Sequence, residues 1–171
     1  FSENPAPAYK KHLEAAKKLF SLRGVDLSDY TLGKEKVRKV VKSRKVLKPG
    51  ASVTIFESDK GGRIGGVRIG PAQALSGKNR RIVLKAFWDE ETEPAILCPA
   101  GDFFGYAWGQ PSMQSLLLGT KNDMNYLYYP MPFEKAARLE LHAEGAQGEP
   151  VTIESEVVFS PVPRRPNEGK F

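Results

Sequence analysis

One cysteine, two histidines and no apolar run of membrane-spanning length are what this 171-residue sequence has to offer three common kinds of chemistry. The lone Cys98 excludes an internal disulfide framework and any multi-cysteine zinc site. His12 and His142 stand in no metal-ligand spacing with a carboxylate or with Cys98, so neither a metal nor any other cofactor is expected. No Gly-x-Ser-x-Gly elbow occurs, which removes the usual strand-turn-helix presentation of a serine nucleophile. The longest apolar patches, such as Ser115–Gly119, fall far short of the ~18 residues a spanning helix needs, so a membrane is not an expected partner. An initiator Met is missing as well. Phe1-Ser2 opens straight into polar chain, which reads as a piece of a longer or processed polypeptide, so the absence of a targeting signal here carries no meaning.

What is present suits a folded domain. The chain is 40% hydrophobic and 10% aromatic, well outside the disordered range, and its length fits one domain with an appended element. Its formal charge of +6 is uneven, with a net +8 over residues 1–50 against −2 over the remainder. The run from Lys34 to Lys48 holds eight basic groups. Such a run can neutralise phosphates. The stacking aromatics of a nucleic-acid platform are missing around it, however, and a solvated connector or a lysine-protected strand edge accounts for it better.

Hydrophobic period divides the chain. Tyr9, Leu13, Ala16 and Phe20 follow helical spacing, widened by Leu19 and Leu22, with Pro5 and Pro7 at the entry and Gly24 at the exit. This amphipathic helix needs a surface to cover its stripe. From Lys45 the period becomes two. Val53 and Ile55 alternate with Thr54 and Phe56; Ile82, Leu84, Ala86 and Trp88 share a face opposite Val83, Lys85 and Phe87. Ala137, Leu139 and Leu141 alternate with Arg138, Glu140 and His142, and Val151, Ile153, Val157 and Phe159 mark a last strand with Ser155 as its inward polar exception. Eight or nine short strands without intervening helices predict an all-β fold, an antiparallel two-sheet jelly-roll sandwich with one N-terminal α-helix. The expected organisation is residues 1–44 as helix and basic connector, 45–160 as the sandwich, and 161–171 as a Pro-rich linker.

Candidate chemistry is sparse. The glycines at 61–66 are followed by strand and turn and not by Gly-Lys-Ser/Thr opening a helix, so a hairpin or a tight sheet crossing replaces the phosphate-loop reading. Asp89, Glu90, Glu91 and Glu93 crowd one turn, where solvated charges are ordinary, and Glu154 and Glu156 line an exposed strand face. Asp102 sits in the aromatic and glycine-rich stretch Pro99–Gly109, which offers two readings. Either Tyr106 and Trp108 stack on a sugar ring beside Asp102, or Asp102 satisfies backbone N–H groups while the aromatics enter the core. Tyr126 and Tyr128 point to one face and Leu127 and Tyr129 to the other; one face meets the core and the second is free for sugar or another subunit.

Three blocks resemble a known family. Pro99-Ala100-Gly101-Asp102-Phe103-Phe104-Gly105, then Gln114–Gly119, then Asn125–Leu139 with Tyr129-Pro130-Met131-Pro132-Phe133, are similar to a glycosidase family long catalogued as a domain of unknown function. Its characterised members act on difructose dianhydride and α-fructofuranosides or on mycobacterial D-arabinan. Upstream, Leu84–Glu91 is similar to the family's strand ending in W-D-G-E, with Glu90 in place of the glycine. The resemblance covers residues 45–159 and implies jelly rolls assembled into trimers and hexamers, in an extracellular or periplasmic setting; the opening helix resembles the connector between successive modules. The family's two catalytic glutamates lie in W-G-E-G-D and G-T-G-T-E-D-Y-F motifs, and neither occurs in this sequence. No catalytic residue carries over. The resemblance therefore implies a non-catalytic sandwich module with scaffold, oligomer and sugar-lining roles; the alternative is an assembly protein without sugar chemistry. Expected partners are further copies of the chain, or the rest of a longer parent, and carbohydrate; nucleic acid is not expected.

Overall fold

Alternating side chains fold into two facing antiparallel sheets. The computed structural model describes residues 7–32 and 37–163; Pro5, Lys34–Lys36 of the basic run and the tail from Arg164 lie outside the described residues. The elements are α1 (Pro7–Phe20), α2 (Ser28–Leu32), β1 (Lys39–Leu47), β2 (Ser52–Ser58), β3 (Gly62–Gly70), β4 (Ile82–Trp88), β5 (Ile96–Pro99), α3 (Ala100–Phe103), β6 (Tyr106–Ala107), β7 (Gln110–Pro111), β8 (Leu118–Lys121), β9 (Met124–Leu127), β10 (Met131–Phe133), β11 (Ala137–Ala143) and β12 (Val151–Ser160). Two 3₁₀ turns, Ala72–Leu75 and Gly77–Arg81, join β3 to β4. The first sheet has the order β1-β12-β3-β9-β8, with β10 also on β3; the second has the order β2-β11-β4-β5. Strands β1-β12-β3-β9 facing β2-β11-β4-β5, with the chain crossing between sheets from β1 through β4 and again from β10 through β12, are a jelly roll of two interlocked Greek keys. None of the described helices is long and apolar enough to cross a membrane.

The core follows the alternation. Ile82, Leu84, Ala86 and Trp88 of β4, Ala137, Leu139 and Leu141 of β11, and Ile153 and Val157 of β12 are all buried between the sheets. Ser155 is buried among them and bonds Ser43 Oγ at 2.8 Å, which satisfies both hydroxyls. Phe56 departs from the expected pattern. The β2–β11 register slips between Leu139 and Glu140, so Ile55 and Phe56 are both buried, and Phe56 meets Phe159 edge-on at 5.0 Å.

Strand β1 begins at Lys39, earlier than the alternation from Lys45 suggested. It is an edge strand, and its outward basic residues mask the inward Val41 and Ser43. Lys42 pairs with Glu156 at 3.0 Å and Arg44 with Glu154 at 3.5 Å, cross-strand in both cases. The glycine cluster is the interior of central strand β3, neither a hairpin nor a phosphate loop. A Cβ on Gly65 would stand 2.6 Å from Leu32 Cγ, so glycine there lets α2 lie directly on the sheet. Arg63 Nη1 donates to the Leu32 carbonyl at 3.0 Å and holds the end of α2 in place. Helix α1, by contrast, leaves Tyr9, Leu13, Leu19 and Phe20 exposed. The short α2, α3 and 3₁₀ turns carry no repeating stripe, which is why the sequence marked only α1.

Antiparallel pairing gathers the loops at two ends. The β3–β4, β5–β8 and β11–β12 connections share one end, with Gly77 N–H donating to the Gly109 carbonyl at 2.7 Å and Glu144 N–H to the Arg81 carbonyl at 3.0 Å. The β4–β5 and β10–β11 connections share the other, joined by Asp89 N–H on the Ala136 carbonyl at 2.7 Å.

Candidate functional site

The stretch Gly101–Gly105 folds as the short α3 and the turn after it. Phe104 is fully buried and anchors that turn in the core. A Cβ on Gly101 would lie 2.7 Å from Tyr106 Cδ2, so the glycine admits the tyrosine ring. Asp102 faces Arg80 of the 3₁₀ turn: Arg80 Nη2 donates to Oδ2 at 2.7 Å and Nε to the same oxygen at 3.2 Å. This fork raises the Arg80 guanidinium above its ordinary pKa, first through the hydrogen bond and then through the carboxylate's charge. Asp102 thus fits neither sequence reading in full. Its side chain serves a guanidinium, and it fixes the segment Gly77–Arg81.

Tyr106 is placed in the interior, as the second of the two sequence readings has it, and not where it could stack on a sugar. Its hydroxyl donates toward the Ala72 carbonyl at 2.8 Å and lies 3.0 Å from Asn125 Oδ1, while Asn125 Nδ2 donates to the Ile69 carbonyl at 3.1 Å. Burial pushes the phenol above its ordinary pKa, so it remains a donor. Tyr106 is a strut beneath the 3₁₀ turns.

Trp108 is the opposite case. Strands β6 and β7 form a hairpin whose two connecting residues, Trp108 and Gly109, have φ of 50° and 72°. That is the geometry of a turn normally written Asn-Gly or Asp-Gly. Trp108 takes the first position, and its side chain is 99% exposed. At the same end of the sandwich an open groove of about 850 Å³ lies between residues 78–81 and 147–152; Trp108 is not among its lining residues.

Tyr126 and Tyr128 share one face, as expected, with ring centroids 5.4 Å apart. That face is not free for sugar or another subunit. The chain's own Leu22 and Leu27, with Leu116 and Leu117, cover it, and both tyrosines are 2% exposed. Burial, reinforced by Asp26, pushes the Tyr128 phenol up to about 12.

Several of the remaining acids are engaged within the fold. Asp89, at φ 56°, accepts from the backbone N–H groups of Glu134 at 2.9 Å, Lys135 at 2.7 Å and Ala136 at 3.4 Å. The sequence offered solvated charge there; the signal was an Asp directly after a strand, a residue that tolerates left-handed backbone and bonds nearby N–H groups. Glu90 pairs with Lys135 at 3.1 Å, and Glu156 lies between Lys42 and Arg68. His142 Nδ1 bonds Ser52 Oγ at 3.0 Å, and burial raises the Cys98 thiol's pKa. Among the described residues no three His, Cys, Asp or Glu side chains are grouped to hold a metal ion.

Comparison with known proteins adds a family. The GH172 domain-like family model matches residues 37–155. No curated protein matches. A solved structure of infectious bursal disease virus, Gx strain, aligns with 71% of this chain and 33% of its own at 12% identity and a TM-score of 0.30. The chain therefore spans about a third of that viral chain, and at this score the likeness carries no further conclusion.

Proposed function

The chain belongs to the GH172 domain-like family and is a glycoside-hydrolase-related module; from that premise we propose that it is a non-catalytic one, presenting its Trp108 end to carbohydrate while the rest of the sandwich serves as scaffold. The observation that carries this reading is Trp108 itself. A bulky side chain holds an unfavourable left-handed turn position and is wholly exposed, so its conformational cost of about 1–3 kcal/mol is offset by no packing among the described residues. An indole face is well suited to the apolar face of a sugar ring. The non-catalytic part rests on the carboxylates. Cleavage of a glycosidic bond needs two of them flanking the substrate. Here Asp102 is forked by Arg80, Asp89 is tied to three backbone N–H groups, and the family's paired-glutamate motifs are absent from the sequence.

A scaffold role has its own support. The apolar stripe of α1 is exposed at Tyr9, Leu13, Leu19 and Phe20, and a further copy or the rest of a longer parent chain would cover it. The experiment is an assay of the intact chain on fructans and arabinans, with calorimetric binding measured in parallel. The expected result is binding that disappears in Trp108→Ala, with no release of reducing sugar. Turnover by the chain, or binding indifferent to Trp108→Ala, overturns the reading.

A further inference from the structure

Charge alternates from strand to strand on the outer face of the first sheet and breaks off at its edge. Arg68 of β3, Glu156 of β12 and Lys42 of β1 are partners in register across three neighbouring strands, with Glu156 3.6 Å from Arg68 and 3.0 Å from Lys42. One step along, Arg44 faces Glu154 at 3.5 Å. Glu156, with a cation on either side, is 18% exposed. Lys42 and Arg44, whose carboxylate partners among the described residues all lie on β12, are 74% and 75% exposed. We propose that the free edge of β1 takes up an extended acidic segment of a partner polypeptide as an additional strand, with one carboxylate beside Lys42 and another beside Arg44.

The backbone supplies the rest of the site. Strand β1 is nine residues long and ends its sheet. In an antiparallel ladder every second residue turns its N–H and C=O away from its partner, so β1 presents a row of such groups to a further strand. Exposed Val40 and Val46 flank Lys42 and Arg44 on the same face. The strand that fits therefore reads apolar-x-acid-x-acid-x-apolar. On its other side β1 already accepts nearly that pattern, in Thr152, Glu154, Glu156 and Val158 of β12. Lys45 Nζ donates to the Thr54 carbonyl at 2.6 Å and ties β1 to β2, so the edge is ordered before a partner arrives. The same charges reject a second copy. Antiparallel pairing of β1 with another β1 about Ser43 sets Lys42 against Arg44, and like charges directly opposite are destabilising. The other sheet-ending strands, β2, β5 and β8, hold one carboxylate among them, Glu57, where the pattern needs two. Lysines that guard an edge against indiscriminate pairing thus also select what is admitted.

The test titrates the intact chain into a labelled synthetic peptide, Val-Thr-Glu-Thr-Glu-Thr-Val, and reads fluorescence anisotropy. Its companions are the peptide with both Glu changed to Lys and two versions N-methylated on alternate amides, one in each phase. Expected are binding of the Glu peptide, none of the Lys peptide, and slowed amide exchange in β1 on binding. Only one methylation phase should abolish binding, because an added strand uses every second amide. The double variant Lys42→Ala/Arg44→Ala should bind about tenfold more weakly, as two exposed ion pairs near the top of their range imply. Both side chains are exposed, so this variant should melt with the parent; if it melts lower, the peptide series alone decides. Equal binding of the Glu and Lys peptides overturns the charge pattern. Equal tolerance of both methylation phases reveals attraction without pairing and overturns strand addition. A dimer of the chain whose β1 amides are protected without peptide overturns the choice of occupant, and failure of the Glu peptide to bind overturns the proposal whole.

Discussion

At opposite ends of the sandwich two residues other than glycine hold nearly the same left-handed backbone, Asp89 at φ 56° and Trp108 at φ 50°. Asp89 uses the geometry to aim one carboxylate oxygen at three successive N–H groups of the β10–β11 turn. Its cost is recovered inside the molecule. Trp108 uses the same geometry to hold an indole in solvent. Strained conformations persist where the surroundings compensate them, and compensation missing from the fold has to come from what the fold binds. On the proposed reading, one end of the jelly roll is architecture and the other is the surface that meets a ligand.

The largest expected effect is at the architectural end. Asp89→Ala removes an acceptor shared by three backbone donors and leaves Ala in the left-handed region, so urea unfolding should show a loss of about 3 kcal/mol. Asp89→Asn keeps one oxygen and should lose less. A cost for Asp89→Ala below about 1 kcal/mol would dissolve the contrast between the two ends.

A second test concerns the tyrosines that packing consumes. The folded state holds the Tyr128 phenol up to about 12, above its unfolded value near 10, so it favours the neutral ring. The stability this contributes is complete below about pH 10 and is lost as pH rises toward 12, on the order of 2 kcal/mol in all. Tyr128→Phe should flatten that alkaline loss in denaturation curves taken across the window; an unchanged slope would mean that Leu22 and Leu27 do not seal this face. The smallest effect is at the ligand end. Trp108→Asn places a residue the turn prefers, and stability should rise by about 0.5–1 kcal/mol, read as a thermal midpoint a few degrees higher. A lower midpoint would show Trp108 packing within the fold.

Much of the architecture was legible because burial imposes a period of two. The strands around Ile82–Trp88, Ala137–Leu141 and Val151–Phe159 alternate in sequence and pack as they read, down to the inward Ser155. Legibility failed where a second partner rewrote the pattern. The bulge opposite Leu139 turned Phe56 inward, and solvent on one side of β1 hid its true start behind lysines. The glycines of β3 make sense only once α2 is seen lying on them. At the candidate site, Trp108 and Asp102 stood out as residues that a plain strand would not need. Tyr106 could not be told from Trp108, because two aromatics on one short hairpin look alike until one finds Ala72 and Asn125. The groove was invisible. Its walls meet through Arg81 and Gln147, 66 positions apart, and no local spacing announces that.

The sequence holds two tryptophans, and the fold separates them: Trp88 is 4% exposed in the core and Trp108 is 99% exposed. Tryptophan fluorescence of the intact chain, titrated with fructans and arabinans, therefore reports almost directly on the Trp108 end. The predicted result is a saturable blue shift carried by Trp108, absent from Trp108→Asn. A spectrum that does not move on binding, or one that moves equally in Trp108→Asn, would contradict it.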